Sequence, residues 1–334
     1  MAGGCRPQQA RGGGQASSPS TCQGIARDER LAKGGQLPDV LNSELPGWMH
    51  PVLDLDLRVG YALVKIGEPA VPTLTELLKD PDQDLRYRTL VLLENLGPCA
   101  KTAVPAVLKC LEDKDPDVRS MAARTLGHIG RDARVSLPAL RKALRDPSGK
   151  VRVEAAHTVL RLKPPSDEAM AVLLEGMRDR ETEVRLLAIY AFRSLRLTEK
   201  RVVAALLTAS KDDKDELVRC NALKCLVEVD LPPTVVVAAL EARFMDESEE
   251  VRATAASLLG KVKDSKLAVP ALVGALQNSS ARVRATAAAA LGRHGKAAVS
   301  ALPALLQAMQ DDPDDGVRDT AARASARIRE EQGK

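Results

Sequence analysis

Aromatic side chains are almost absent: one Trp, three Tyr and two Phe make up 2% of the 334 residues. A large aromatic ligand pocket, or a platform on which bases could stack, therefore has little to be built from. Long apolar runs are missing as well. No stretch approaches 18 apolar residues, so no membrane-spanning helix is expected, and the first 45 residues contain no apolar segment of a secretory signal. The six cysteines (Cys5, Cys22, Cys99, Cys110, Cys220, Cys225) are scattered without a CxxC pair. That density does not support a disulfide framework, and a reducing, cytoplasmic setting is expected. An excess of one charge is also lacking: 49 basic and 45 acidic residues leave a formal +4. Any basic patch must then be local. Without a Walker A loop or a strand followed by GxGxxG, nucleotide chemistry has no support either.

What the chain does contain is a period. One arginine recurs as Arg86, Arg119, Arg152, Arg185, Arg219, Arg252, Arg284 and Arg318, at intervals of 32 to 34 residues. Units of that size cannot each bury a core alone and stack into a quasi-linear array. Four residues before each arginine stand Asp82, Asp115, Ser148, Glu181, Asp215, Ser248, Ser280 and Asp314. Seven of the eight are Asp or Ser, whose side chains accept from the free N–H groups of a helix start. The residue just before the arginine is Leu85 and then Val in every later unit. A small residue, Thr89 and then Ala from Ala122 to Ala321, follows at three positions after, and Leu93, Leu126, Val159, Phe192, Leu226, Leu259, Leu291 and Ser325 at seven. Steps of four put these columns on one helical face.

A second column marks a preceding helix: Pro72, Pro105, Pro138, Pro270 and Pro303, with Ala171, Ala204 and Val237 in the same register. Proline fits the first turn of a helix, where its missing N–H leaves no bond unmade. Each unit thus reads as helix, acidic turn, helix, with Gly67, Gly97, Gly130, Gly260 and Gly295 as candidate C-caps. Residues 1–45, rich in Gly, Ser and Gln without apolar periodicity, read as a disordered tail. The array is expected over 46–330, with 46–67 as a degenerate N-terminal cap.

The segment AVPAVLKCLEDKDPDVRSMAARTLGHIG, residues 103–130, resembles the short HEAT-like repeat of the phycobilisome-lyase type. The resemblance implies an all-α, right-handed solenoid of about eight two-helix units, with the second helices on its concave face. It implies no catalytic residue. Deoxyhypusine hydroxylases of similar fold carry His-Glu dyads for iron, whereas this chain reads His128-Ile129, His157-Thr158 and His294-Gly295. Neither a metal nor another cofactor is expected, and no Ser or Cys is seen with an adjacent His and an orienting carboxylate.

Two candidate charged features remain. An arginine near a helix start opposes the helix dipole, so its regular recurrence calls for a nearby anion. An ion-pair ladder to the acidic turns of its own and adjacent units is the expected role of Arg86, Arg119, Arg152, Arg185, Arg219, Arg252, Arg284 and Arg318. Five and nine residues beyond it, opposite the apolar seam, lie sixteen positions of which seven are Arg or Lys and only Glu228 is acidic. That stripe points to an interaction scaffold. The expected central contact patch is Arg124, His128, His157, Arg161, Tyr190 and Lys224, and the expected partner is another protein with an acidic surface. Binding of a nucleic-acid backbone, or a lyase- or chaperone-type role on a partner protein, stand as alternatives.

Overall fold

A computed structural model describes residues 63–333. The expected tail, 1–45, and nearly all of the expected cap, 46–67, lie outside the described residues. Eight first helices are seen: α1 (Val71–Leu77), α3 (Val104–Cys110), α5 (Leu137–Ala143), α7 (Asp167–Gly176), α9 (Lys200–Asp212), α11 (Pro233–Glu241), α13 (Ser265–Ala275) and α15 (Leu302–Asp311). They alternate with eight second helices: α2 (Gln83–Leu96), α4 (Pro116–Ile129), α6 (Gly149–Leu162), α8 (Thr182–Ser194), α10 (Glu216–Glu228), α12 (Glu249–Leu259), α14 (Ala281–His294) and α16 (Asp315–Gln332). The fold is an all-α solenoid, and among the described residues there is no strand.

Every second helix starts where the Asp/Ser column predicts. Asp82, Asp115, Asp215, Ser248, Ser280 and Asp314 accept from backbone N–H groups of the first turn, while Ser148 and Glu181 hold the cap position without a side-chain bond. The sequence reading overlooked a further column two residues upstream: Asp80, Asp113, Asp146, Asp179, Asp213, Asp246, Asn278 and Asp312. Each side chain accepts from the backbone N–H of the cap residue, at 2.9 to 3.1 Å. These side chains, seven carboxylates and the Asn278 amide, fix the sharp turn between the two helices of a unit.

Pro72, Pro105, Pro138 and Pro303 fall in the first turns of α1, α3, α5 and α15, as expected. Each is reached through a 3-10 segment, Glu68–Ala70, Gly97–Ala103, Gly130–Ser136 or Gly295–Ala301. The preceding backbone turns at Gly67, Gly97, Gly130 and Gly295 with φ of 75°, 52°, 80° and 54°, a region that only glycine enters freely. Two expectations fail together. Gly260 is right-handed, at φ −66°, and Pro270 lies inside α13 because that helix starts early, at the Asp264 cap, with no 3-10 segment before it. What Gly260 provides is space: a Cβ there would sit 2.6 Å from Arg293 Nη2.

The seam columns are buried, with the seven valines before the arginines and the seven alanines after them at 1% exposure or less. Small residues bring neighbouring second helices together. A Cβ on Gly127 would meet Thr158 Oγ1 at 2.7 Å, and one on Gly292 the Ala324 backbone at 3.2 Å. Thr125 and Thr158 donate to Leu90 O (3.1 Å) and Ala123 O (2.8 Å) of the second helix before. Successive second helices pack along their length, whereas successive first helices make fewer contacts, through the 3-10 segment where one is present and directly between α11 and α13. The tighter layer is that of the second helices, the one expected on the concave face.

The recurrent arginines tie unit to unit. Arg86, Arg119, Arg185, Arg219 and Arg284 each hold both oxygens of the upstream-column aspartate of the next unit, at 2.7 to 3.1 Å: Asp113, Asp146, Asp213, Asp246 and Asp312. Their Nη1 groups donate to carbonyls of the turn in their own unit. Arg152 reaches Asp179 at a longer 3.5 Å, and Arg318, in the last unit, pairs with Asp315 of its own turn. One rung lacks its anion. Arg252 faces the unit that carries Asn278, and its Nε has no hydrogen-bond partner.

Asn278→Asp is expected to complete that rung. The Asn278 amide bond to Phe244 O, 2.8 Å, is given up at a cost of about 1 kcal/mol, against about 1.5–3 kcal/mol for bonds to a charged group. The net gain predicts a melting temperature higher by about 2 °C in a calorimetric scan. A lower melting temperature would show that the amide bond outweighs the ion pair.

Candidate functional site

The positions five, eight and nine residues after each arginine meet across neighbouring second helices, and there the predicted contact patch divides. Arg124, on α4, is not a surface residue: it is 4% exposed, and its Nε donates to Glu94 Oε1 of α2 at 2.8 Å. Its guanidinium also lies 5.5 Å from the Tyr190 ring centre on α8. His157, on α6, is likewise buried, with Nε2 2.6 Å from Ser194 Oγ and its ring edge-on to Tyr190 at 5.7 Å. Both had been expected to face the groove. The physical reason is the close spacing of the second helices: a side chain that points away from the seam of its own helix is covered by those of the next.

Around these two forms a polar floor spanning α2, α4, α6 and α8. His128 Nε2 lies 3.2 Å from Glu94 Oε1 without hydrogen-bond alignment, and it is three-quarters buried. Burial, together with the charges of Arg161 and Arg124, pushes its imidazole down to about 3, so His128 is neutral at ordinary pH. Burial also raises the Glu94 carboxyl, against the pull of Arg124. For Arg124 burial works against the charge, but the carboxylates of Glu94 and Glu154 outweigh it and hold the guanidinium above its ordinary value. For Glu154 burial pushes upward, and the facing His157 and Arg124 overcome it and hold the carboxyl low.

Glu94 and Glu154 were missed in the sequence because they sit eight and two residues after the arginine, off the columns that had been followed. The available signal was an acid in columns otherwise filled by residues such as Gly127, Leu160, Met121 and Leu187. The structure also corrects the expectation that no Ser has a neighbouring His and carboxylate, since Ser194, His157 and Glu154 adjoin. His157 Nδ1 is 3.7 Å from Glu154 Oε2, beyond a hydrogen bond, and the Ser194 hydroxyl bonds back to Ala191 O. Ser194 ends α8, where free carbonyls and not N–H groups surround the hydroxyl. This set therefore lacks the donors that would stabilise an oxyanion, and it serves to hold His157. Among the described residues no group of three or more His, Cys, Asp or Glu is placed to hold a metal ion.

Above the floor the picture is different. Arg161 is exposed and Lys224 half-buried; farther along, Lys261, Arg293 and Arg323 are exposed. Arg293 donates to Ser257 O at 3.1 Å and Arg323 to Thr320 Oγ1 at 3.1 Å. Among the described residues none of these five has a carboxylate within ion-pair distance. Their neighbours Arg193 and Arg327 do, at 3.7 Å from Glu228 and 3.1 Å from Glu331. No described helix is long and apolar enough to cross a membrane.

The family profile of HEAT repeats matches residues 71–161 and 236–326. No curated protein sequence matches the chain. Among solved structures, Escherichia coli YibA is 21% identical, with 82% of this chain and 97% of that one covered and a TM-score of 0.53. Kap95p bound to RanGDP is 13% identical over 93% of this chain and 50% of its own, with a TM-score of 0.52. The CpcE–CpcF complex of phycocyanin lyase from Nostoc is 18% identical over 77% and 94%, with a TM-score of 0.41. Identities at this level speak to the fold alone.

Proposed function

Because the chain belongs to the HEAT-repeat family, we propose that it is a non-catalytic interaction scaffold whose inner, second-helix face captures an acidic partner protein. The observation that carries this reading is the contrast between two sets of cations. Five of the recurrent arginines are held by both oxygens of an aspartate of the next unit and Arg152 reaches one at 3.5 Å, whereas Arg161, Lys224, Lys261, Arg293 and Arg323 have no carboxylate within ion-pair distance among the described residues. Uncompensated charge of one sign on a concave face raises the local concentration of an oppositely charged surface and speeds its encounter. Kap95p, of similar fold, is a protein that binds another protein, RanGDP.

The aromatic supply argues against a nucleic-acid reading. The groove's aromatic side chain, Tyr190, is already engaged by His157 and Arg124. The test is capture from solution by the immobilised chain, compared with Lys261→Glu/Arg293→Glu. Lys261 is exposed, and Arg293→Glu gives up the bond to Ser257 O, so the variant is expected to melt within about 1–2 kcal/mol of the parent and, still folded, to lose captured acidic proteins. Undiminished capture, or capture of RNA in their place, would sink the reading.

A further inference from the structure

The five free cations are not scattered over the inner face. Arg161 comes from α6, Lys224 from α10, Lys261 from the turn that ends α12, Arg293 from α14 and Arg323 from α16, one to a unit, with a break at α8, where Arg193 is held by Glu228 and the Tyr190 ring. They therefore form a row that crosses the second helices, with a step set by the helix spacing. Packed helices lie about 8–10 Å apart, and the glycine and alanine contacts put these helices in close contact. Some of the cations are five and some nine residues after their arginine. That offset of four residues is about 6 Å along a helix axis, within the reach of a Lys or Arg side chain.

A ligand that answers such a row needs negative charges on one side at about the same step. A β-strand does not supply it, because same-face side chains recur at about 6.6 or 13 Å. A polyproline II segment does: three residues per turn at about 3.1 Å each return the side chain to the same face every 9.3 Å or so. Its backbone has no internal hydrogen bonds, so it can lie in a groove without competing for its own.

Building on the scaffold reading, we propose that the inner face is a docking groove for an extended, polyproline II-like segment of a partner protein with Asp or Glu at every third position, running across α6 to α16. The floor beneath its first rung sets the carboxylates of Glu94 and Glu154 against the one guanidinium of Arg124, so the positive charge offered to the ligand comes from the row and not from the floor. At the column five residues after the arginine, α12 and α14 carry the small side chains of Ser257 and Ala289. A narrow extended chain fits such a floor better than a helix does.

The experiment uses the full chain and three synthetic peptides of eighteen residues: (Glu-Pro-Pro)6; an isomer with the six Glu contiguous between proline blocks; and (Glu-Gly-Gly)6. Affinity is read by fluorescence anisotropy at low salt. The periodic proline peptide is expected to bind at least tenfold more tightly than its isomer of equal charge, and more tightly than the flexible peptide. Lys261→Glu/Arg293→Glu is expected to remove that preference, while Lys109→Glu, on the outer helix α3, should leave it intact. Equal affinity for the two proline isomers would overturn the three-residue register and leave the acidic-partner reading standing. Binding of none of the peptides by the folded chain would overturn both, as would tighter binding of an oligouridylate.

Discussion

Asp246→Ala is expected to cost the array about 3–5 kcal/mol, the range found when one member of a buried ion pair is removed. Asp246 receives two bonds from Arg219, and the two side chains are 5% and 4% exposed. Its Oδ1 also accepts from Ser248 N at 2.9 Å, which sets the start of α12. Alanine leaves the Arg219 guanidinium in a site closed to water, with Glu247 at 3.4 Å, itself 85% exposed, as its remaining anion. The loss should be local in origin. In a solenoid each unit contacts only its neighbours, so amide exchange is expected to accelerate first in α10 to α13 while α2 to α6 keep their protection. Replacing both partners, Arg219→Met with Asp246→Leu, is expected to recover part of the loss, since no unpaired charge then remains buried. If Asp246→Ala alone leaves the melting curve and exchange pattern unchanged, the rung contributes nothing net and the periodic arginine needs another explanation.

The rung shows what could and could not be read in the sequence. The arginine, the cap four residues before it and the Val/Ala/Leu seam are local and periodic, so each unit repeats the same evidence eight times. Their positions in α2, α4, α6, α8, α10, α12, α14 and α16 follow from helical geometry alone. The aspartate that receives the arginine was equally periodic, but it belongs to the next unit, 27 or 28 residues on, and only stacking brings the two together. Pro270 misled for another reason. The rule that places proline in a first turn holds where a glycine with positive φ starts a 3-10 approach; Gly260 is right-handed, and α13 instead starts early at the Asp264 cap, which leaves Pro270 inside it. The polar floor was least legible. A helical wheel assigns inside and outside for one helix, and the second helices have neighbours on both sides.

This distinction gives opposite expectations for two arginines that the sequence put in one patch. Arg124→Glu would place a third carboxylate beside Glu94 and Glu154, both under 9% exposed, in place of the cation that holds them. Removing one partner of such a pair costs about 3–5 kcal/mol before the added repulsion is counted. The variant is therefore expected to lose thermal stability, with exchange protection failing in α2, α4 and α6. Arg161→Glu changes a side chain that is exposed and has no carboxylate partner among the described residues. The Arg161 charge also acts on Glu94 from the surface, so stability is expected to fall by about 1 kcal/mol at most, while affinity for an acidic partner falls about tenfold, or about 1.4 kcal/mol. Circular-dichroism melts and anisotropy with the (Glu-Pro-Pro)6 peptide separate the two. An Arg124→Glu protein that melts like the parent and merely binds less would return Arg124 to the surface. An Arg161→Glu protein that binds as before would remove the first rung from the row, and the partner would then have to engage the array from α10 onward.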